Sequence, residues 1–492
     1  MTTERVELPI GGGDAQVAQQ QGEPANRLSG NMGVGELVMS VLAFSAPLTT
    51  VAGFIPVLLT FSGRTAPAIY LVVTVLLVLF SVGFTTMGRR VQNPGGFYSF
   101  VTAGLGRPAG LGGALLATFG YTAIGFFAPA FFAVTVQSYV VDLGGPEIAW
   151  YWYALALIAV TTALAYRRID LSARVLTFVM LLEVITVIVF DVAAFVHGGP
   201  ADGGGAGFSL PSITDASIGL AVLFVVGNFL GFEATVIYRD EVKNPNKTIP
   251  LATYIAVGSI GIFYAIAAWA YLAFFGADRA RDAAVEDTAG MFSSALLNLT
   301  GKIVVDVVTI LLMTSILASV LSIHNVAARY LFSLGTDRVL PSVLGKVHPH
   351  HRSPFVSASL IGGVWAVLVI FFAAIGVGAE KLYPIASGTG TFAILLLMLG
   401  TSIAVVVYLR KNRGDGDSFW RTTVAPVVAA LGLAGVAVLA VINYSELIGG
   451  TGLIAILFLA FTFGLPIAGV VLANILRTRK PDAYERIGRQ QI

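Results

Sequence analysis

The sequence predicts an all-α integral membrane protein of twelve transmembrane helices, built as two inverted repeats of five helices with two more appended. Three observations predict it. The first is composition. Of 492 residues, 56% are hydrophobic and 11% charged, and the mean hydropathy is +0.85. A soluble domain carries roughly 25% charged residues. The apolar residues fall in blocks of about 20 or more, the length that crosses a bilayer core of ~30 Å. The second observation is where lysine and arginine lie, and the third is that the first and sixth apolar segments are interrupted at matching depths.

Twelve apolar segments lie near residues 34–60, 66–88, 109–140, 148–166, 172–196, 216–238, 251–275, 302–332, 355–376, 384–409, 422–442 and 450–476. Cytoplasmic loops are enriched in basic residues. With the N-terminus inside, 24 of the 29 basic residues fall on inside stretches. The outside loops hold only Arg64, Arg279, Arg281, Lys302 and Lys381. An error of one segment would scramble this alternation, so the same distribution supports the number of segments and places both termini in the cytoplasm. A net charge of +2 gives no reason to expect nucleic acid. With no cysteine, disulfides, Cys-ligated metal and thiol chemistry are excluded.

Residues 1–31 are polar and lack the basic start and short apolar core of a cleaved signal peptide; a disordered cytoplasmic tail is expected. Segment 1 carries Pro47, Gly53 and Pro56, with Ser45, Thr49 and Thr50 at the same depth. Proline removes a backbone donor and clashes with the preceding turn, so the helix around Ala46 to Gly53 is expected to kink or unwind. Between segments 2 and 3, NPGGFYSF reads as a turn followed by an interfacial helix, or as a moving element under an inner gate. Tyr121 in segment 3 is either a packed tyrosine or a substrate-lining residue. Segment 5 holds Glu183 at mid-membrane and Asp191 near its outer end. An intramembrane acid is a functional candidate by default. Burial without a cation favours the neutral form of a carboxyl group, so Glu183 is either suited to carry a proton or a structural acid bonded to a neighbouring helix. Asp191 is expected to be solvated.

Segment 6, IGLAVLFVVGNFLGFEATVIY, is a span with a soft middle. Gly227 and Gly231 bracket Asn228, and Glu233 follows where a carboxylate is costly. Glycine lowers helix stability by about 1 kcal/mol relative to alanine, and backbone released at membrane depth survives only inside protein or beside a cavity. Broken segments at matching places in two halves point to inverted repeats and a site at the midplane. The halves are 32–200 and 201–413, followed by 414–476 and a cytoplasmic tail 477–492, basic and solvated. A short surface helix is expected at Gly290 to Leu299. In segment 8, Ser315 and Ser319 either serve close helix packing or line a cation or substrate path. In segment 10, Gly388 and Gly390 mark either a flexible gating half-helix or simple packing. Segments 11 and 12 carry no candidate chemistry.

GNFLGFEATVIYRDEVKNPNKTIPLAT resembles the sixth-span signature of the amino acid–polyamine–organocation (APC) superfamily: a glycine-rich break and an acid at Gly231-Phe232-Glu233, then Glu241, Lys243-Asn244-Pro245 and Ile249-Pro250. NPGGFYSF and NVAARYLFSLGTDRVLPSVLGKVHPHHRSP are similar to that superfamily's loops after spans 2 and 8. The resemblance covers roughly residues 30–410. It implies the five-plus-five inverted-repeat (LeuT-type) fold and import or exchange of amino acids and amines. Transferred by position, Pro47 to Gly53 would hold a substrate carboxylate, and the carbonyls of Val226 to Phe229 its ammonium. Helix N-termini favour anions and C-terminal carbonyls cations, which agrees. Many relatives carry a Gly-Ser-Gly-type run in the first span, where this chain has Ala46-Pro47-Leu48-Thr49-Thr50. Some proton-coupled relatives place a lysine where this chain has Glu183.

The expected function is therefore a permease of the cell membrane for an amino acid, coupled to a proton in preference to sodium. The substrate-binding candidates are Ser45, Ala46, Pro47, Thr49, Thr50, Gly53, Tyr121, Val226, Gly227, Asn228, Phe229, Gly231 and Phe232, the last as an aromatic lid. Glu183, Glu233, Ser315 and Ser319 are the coupling or gating candidates, with Glu233 leaning towards a brace of the inner gate. No metal, cofactor or enzymatic residue set is expected, since the five histidines do not converge with a nucleophile. The rival readings are a polyamine or amine importer, an exchanger, and a non-transporting membrane sensor.

Overall fold

A helix forms over each of the twelve apolar segments. The computed structural model describes residues 32–91, 96–167, 173–197, 217–412, 414, 418–450 and 452–488. The expected tail 1–31 and the turn Asn93-Pro94-Gly95 lie outside them. Among the described residues, ten helical stretches are long and apolar enough to cross a membrane. One of the ten is the 55-residue run Val34–Gly88. Straight, it would extend about 80 Å, far beyond a ~30 Å core. It turns at Gly63, whose φ of +49° closes the helix Ile55–Ser62 before Ala66–Gly88 begins. Segment 4 forms the 18-residue helix Trp150–Arg167, which is not among the ten.

Burial sorts the helices into a centre and a rim. The apolar window of segment 6 is 83% buried and that of segment 12 is 17% buried. The outward faces are aliphatic (Ile303, Leu431 and Ile456 are exposed), whereas Glu183, Asn228 and Glu233 are buried. This inversion of the soluble pattern is what a lipid solvent demands. Segment 6 thus sits in the middle, against segments 1, 2 and 10.

Segments 3 and 10, Arg107–Asp142 and Ala379–Lys411, form the most extensive helix pair. A Cβ on Gly390 would lie 2.3 Å from the backbone nitrogen of Ile124, and one on Gly388 2.3 Å from Leu447. Segment 10 is one unbroken helix, so its glycines serve packing. The short helix expected near Gly290 is present as Met291–Thr300.

Two expectations are refined and one is corrected. The helix after segment 2, Gly96–Leu105, is buried in protein: Phe97 and Phe100 pack on Phe84 of segment 2, and Tyr98 packs with Leu111, Leu334 and Ala473. Asp191 is not solvated. It is 6% exposed, since the segment 5 helix turns it inwards beside Tyr271. The tail after segment 12 is exposed over 477–482, as expected, but docks again through Ala483, Ile487 and Gly488. Ala483 and Ile487 are buried, the Gly488 N–H donates to Tyr98 Oη at 2.7 Å, and Tyr98 donates in turn to Asp337 Oδ2 at 3.0 Å. Burial pushes the Asp337 carboxyl up from its ordinary range.

Candidate substrate site between the two broken segments

Segment 1 breaks at Ala46. A residue preceding proline is disfavoured in the helical region, and Ala46 before Pro47 adopts φ 44°, ψ 75°. The chain resumes as Pro47–Thr49, passes through a π-helical turn over Thr50–Phe54, and regains α-helix at Ile55–Ser62. The released backbone groups find protein partners. The Ser45 carbonyl accepts from Thr50 Oγ1 at 2.9 Å and from Tyr264 Oη at 3.3 Å. The Leu48 N–H donates to Glu183 Oε2 at 3.2 Å. Thr49 Oγ1 donates to Ser315 Oγ at 2.8 Å, and Ser315 also bonds Glu183. One knot therefore ties segments 1, 5 and 8.

Segment 6 breaks four residues wide. The helix Ile218–Gly227 ends, and the N–H groups of Asn228, Phe229 and Leu230 bond three residues back, to Val225, Val226 and Gly227. Gly231, at φ 109°, opens the 3₁₀ helix Phe232–Glu241. Only glycine fits there, because an added Cβ would stand 2.2 Å from the Phe44 ring. Glu233 closes the break on itself. Its Oε2 accepts the Gly231 N–H at 2.8 Å, and its Oε1 accepts from Tyr121 Oη.

Between the two breaks lies a cavity of about 30 Å³. It has room for a water or two, well short of the roughly 300 Å³ at which ligand pockets begin. Ser45 and Thr50, Tyr121, Gly227 and Asn228, and Ser319 line it among apolar neighbours. Asn228 donates from Nδ2 to Tyr70 Oη, but its buried Oδ1 has no hydrogen-bond partner. No charged side chain lines this space.

The remaining candidates lie around the cavity. Ala46 and Pro47 form the turn itself. Thr49, Ser315 and Glu183 make the knot behind it. Gly53 backs onto Phe131, where a Cβ would be 2.8 Å from the ring. Val226 and Phe229 are buried in the segment 6 turn, and Gly231 abuts Phe44. Phe232 is no lid over the cavity. Its ring joins Phe80 at 5.8 Å and Phe84 at 6.2 Å in an aromatic plug with Phe97 and Phe100. A second run of rings, Phe54, Phe127, Phe131 and Tyr383, has centroids 4.5, 6.1 and 5.2 Å apart in turn. Beyond it opens a vestibule of about 920 Å³.

The sequence reading missed the apolar lining, Phe44, Phe54, Ile124, Phe127, Leu230 and Ile323, and the tyrosines that serve the breaks, Tyr70, Tyr264 and Tyr271. A tyrosine within an apolar span was the one signal that could have found the latter. Among the described residues, no group of three His, Asp or Glu is placed to hold a metal.

The chain is similar to several known transporters. The chain is 25% identical over 353 residues to the low-affinity putrescine importer PlaP of Escherichia coli K12, covering 68% of this chain and 73% of that protein. It is 24% identical over 437 residues to the branched-chain amino acid permease BcaP of Lactococcus lactis, covering 82% and 86%. It is 25% identical over 275 residues to the methylthioribose transporter of Bacillus subtilis, covering 56% and 55%. Residues 35–473 match the family described as amino acid permease. A multi-pass helical chain matching over nearly all its apolar length belongs to the amino acid permease family, within the APC superfamily.

Proposed function

We propose that the protein is a secondary active transporter that carries an amino acid across the cell membrane by alternating access, coupled to protons. In this reading twelve helices cross the bilayer with both termini in the cytoplasm, and residues 32–200 and 201–413 form the inverted repeats. The observation that carries the substrate class is the uncharged lining of the cavity between the two breaks. A zwitterion can be held there by backbone dipoles, its carboxylate towards the N-terminal turn of Pro47–Thr49 and its ammonium towards the segment 6 carbonyls and Asn228 Oδ1. A diamine would need carboxylates on the lining, and Glu183 and Glu233 are both committed to the backbone nearby.

Glu183 supplies the coupling. While ionised it holds the Leu48 N–H and binds segment 1 to segments 5 and 8; once protonated it accepts more weakly and loosens that tie. Glu183→Gln is expected to abolish uptake driven by a pH gradient in proteoliposomes and to leave part of the exchange activity. Uptake that requires sodium and ignores the substitution would refute proton coupling. The substrate reading is tested by competition against radiolabelled branched-chain amino acid in the same vesicles; if no amino acid competes, it fails. One observation favours a second reading, import of an amine: the vestibule beyond Tyr383 is strongly acidic.

A further inference from the structure

Three of the five histidines lie in the loop between segments 8 and 9, and the transport reading gives them no task. The rings of His348 and His351 are 4.6 Å apart, and those of His348 and His350 6.1 Å apart. They are not placed to hold a metal. His348 instead builds the loop. Its Nδ1 accepts the N–H of His350 at 3.3 Å and that of His351 at 3.2 Å. Its own N–H donates to the Ser353 carbonyl, and its carbonyl accepts the Arg352 N–H, both at 2.9 Å. A ring nitrogen that accepts N–H groups carries no proton, so the closed loop requires a neutral imidazole.

The same residue fastens the loop to the bundle. Its ring meets Tyr166, at the end of segment 4, edge to face at 5.2 Å and Phe355, at the start of segment 9, at 5.4 Å. Buried Ser353 donates from Oγ to the Tyr166 carbonyl at 2.5 Å. Upstream, the Leu344 carbonyl accepts from Ser357 Oγ at 2.9 Å. A Cβ on Gly335 would lie 2.5 Å from the Gly345 nitrogen, so the loop also packs flush on the end of segment 8. One imidazole therefore sits where the ends of segments 4, 8 and 9 meet.

Its surroundings disfavour a charge. Lys346 and Arg352 share the loop with His350 and His351, and Arg167 follows Tyr166 in the chain. Segment 9 brings no titratable group over Phe355–Ala374. Segment 8 ends in Asp337 and Arg338, and Asp337 is bonded to Tyr98 and Gly488. Among the described residues His348 has no carboxylate partner. Burial, and then the neighbouring His351 and His350, hold its imidazole below the ordinary range.

We propose that His348 is a pH switch: neutral, it keeps the loop closed and the ends of segments 4, 8 and 9 fastened; protonated at Nδ1, it turns away the His350 and His351 N–H groups and the loop opens. The closed loop disfavours the charged ring, so closure is complete above the ordinary imidazole value of about 6.5 and is lost as pH falls below it. One proton is involved, so the opening equilibrium rises by up to about tenfold for each pH unit of acidification. Opening reaches the transport machinery through segment 8, whose Tyr330 stacks at 5.5 Å on Tyr121, the donor to Glu233. On the proposed topology the loop faces the cytosol. A proton-coupled importer acidifies the compartment it fills, so the switch is a brake. The brake rests on the transport reading; the switch does not.

Hydrogen–deuterium exchange over residues 343–355 of the purified protein tests the switch, compared at about pH 7.5 and about pH 5.5 and corrected for the intrinsic pH dependence of exchange. Protection in the parent is expected to fall about tenfold at the lower pH. His348→Asn sets an oxygen near the position of Nδ1 and cannot titrate, so it stays protected at both. His348→Gln sets its oxygen near Nε2 instead and is unprotected at both. Replacing both neighbours, His350→Gln with His351→Gln, keeps the switch and moves its midpoint to higher pH. Parent protection that ignores pH overturns the proposal. So does acid opening that persists in His348→Asn, or a His348→Gln variant as protected as the parent at the higher pH. Leucine exchange in proteoliposomes at equal pH on both faces tests the brake: acid should slow the parent more than His348→Asn, and equal slowing overturns it. Acid opening in a protein that carries no solute would sink the transport reading and leave the switch.

Discussion

Both broken segments turn on a single residue with a left-handed backbone, Ala46 at φ 44° and Gly231 at φ 109°, yet they are held in opposite ways. At segment 6 the residue is a glycine, and the acid that receives its N–H is two positions away on the same strand of chain. At segment 1 the residue is an alanine, which carries the strain of a conformation that L side chains rarely adopt. There the acid that receives the next available N–H comes from segment 5, 135 positions away. A break closed on itself is a rigid shape. A break closed by another helix is a joint, and its strength depends on the charge of one carboxylate. On the proposed reading, segment 6 is the rigid break and segment 1 the one that responds to protonation of Glu183.

Gly231→Ala attacks the rigid break most directly. The new methyl would meet the Phe44 ring and force a strained φ, so backbone strain of about 1–2 kcal/mol adds to overpacking of about 1–3 kcal/mol. A loss of roughly 3 kcal/mol is expected, seen as a lower Tm of the purified protein and little or no uptake. A variant as stable as the parent would show that the break is not fixed by this contact.

The two glutamates then separate under the same chemical change. Glu233 receives two donors, the Gly231 N–H and the Tyr121 hydroxyl, on its two oxygens. Glutamine offers one oxygen, so Glu233→Gln leaves a donor facing an NH₂ group and should cost about 1–3 kcal/mol. Uptake is expected to slow while keeping its dependence on the pH gradient. Glu183→Gln keeps an oxygen for the Leu48 N–H, and its NH₂ can donate to the Ser315 hydroxyl oxygen, which accepts as well as donates. Thermal stability should therefore fall by less than about 1 kcal/mol, whereas the pH dependence is expected to vanish. If both variants lose stability and pH dependence together, the division between brace and joint is wrong.

The contrast also shows which parts were legible from sequence. The helices were, because bilayer thickness dictates their length. The breaks were nearly so, since Pro47 forces Ala46 out of the helix and Gly227 and Gly231 weaken segment 6 on their own. What the sequence could not show is what each break leans on. Glu183 meets Leu48 only because segments 5 and 1 pack together, and nothing near either residue announces the other. The same blindness put Phe232 over the cavity, when Phe80 and Phe84 draw it into the plug. It also left Gly488 in solvent, when Tyr98 and Asp337 receive it. Local chemistry was readable and long-range partners were not.

Ala46→Gly carries the smallest expected effect and tests the joint most sharply. Glycine removes about 1–2 kcal/mol of left-handed strain but loses about 0.5–1 kcal/mol to the greater freedom of the unfolded chain. The balance is a gain of roughly 0.5 kcal/mol, read as a small rise in Tm. The functional consequence runs the other way. If strain at Ala46 drives segment 1 to straighten when Glu183 releases Leu48, relieving it removes part of that drive. The variant should then be slightly more stable, and its uptake should need a steeper pH gradient. A variant with raised Tm and unchanged gradient dependence would show that the strain at Ala46 is incidental, and that the joint works through the Glu183 hydrogen bond alone.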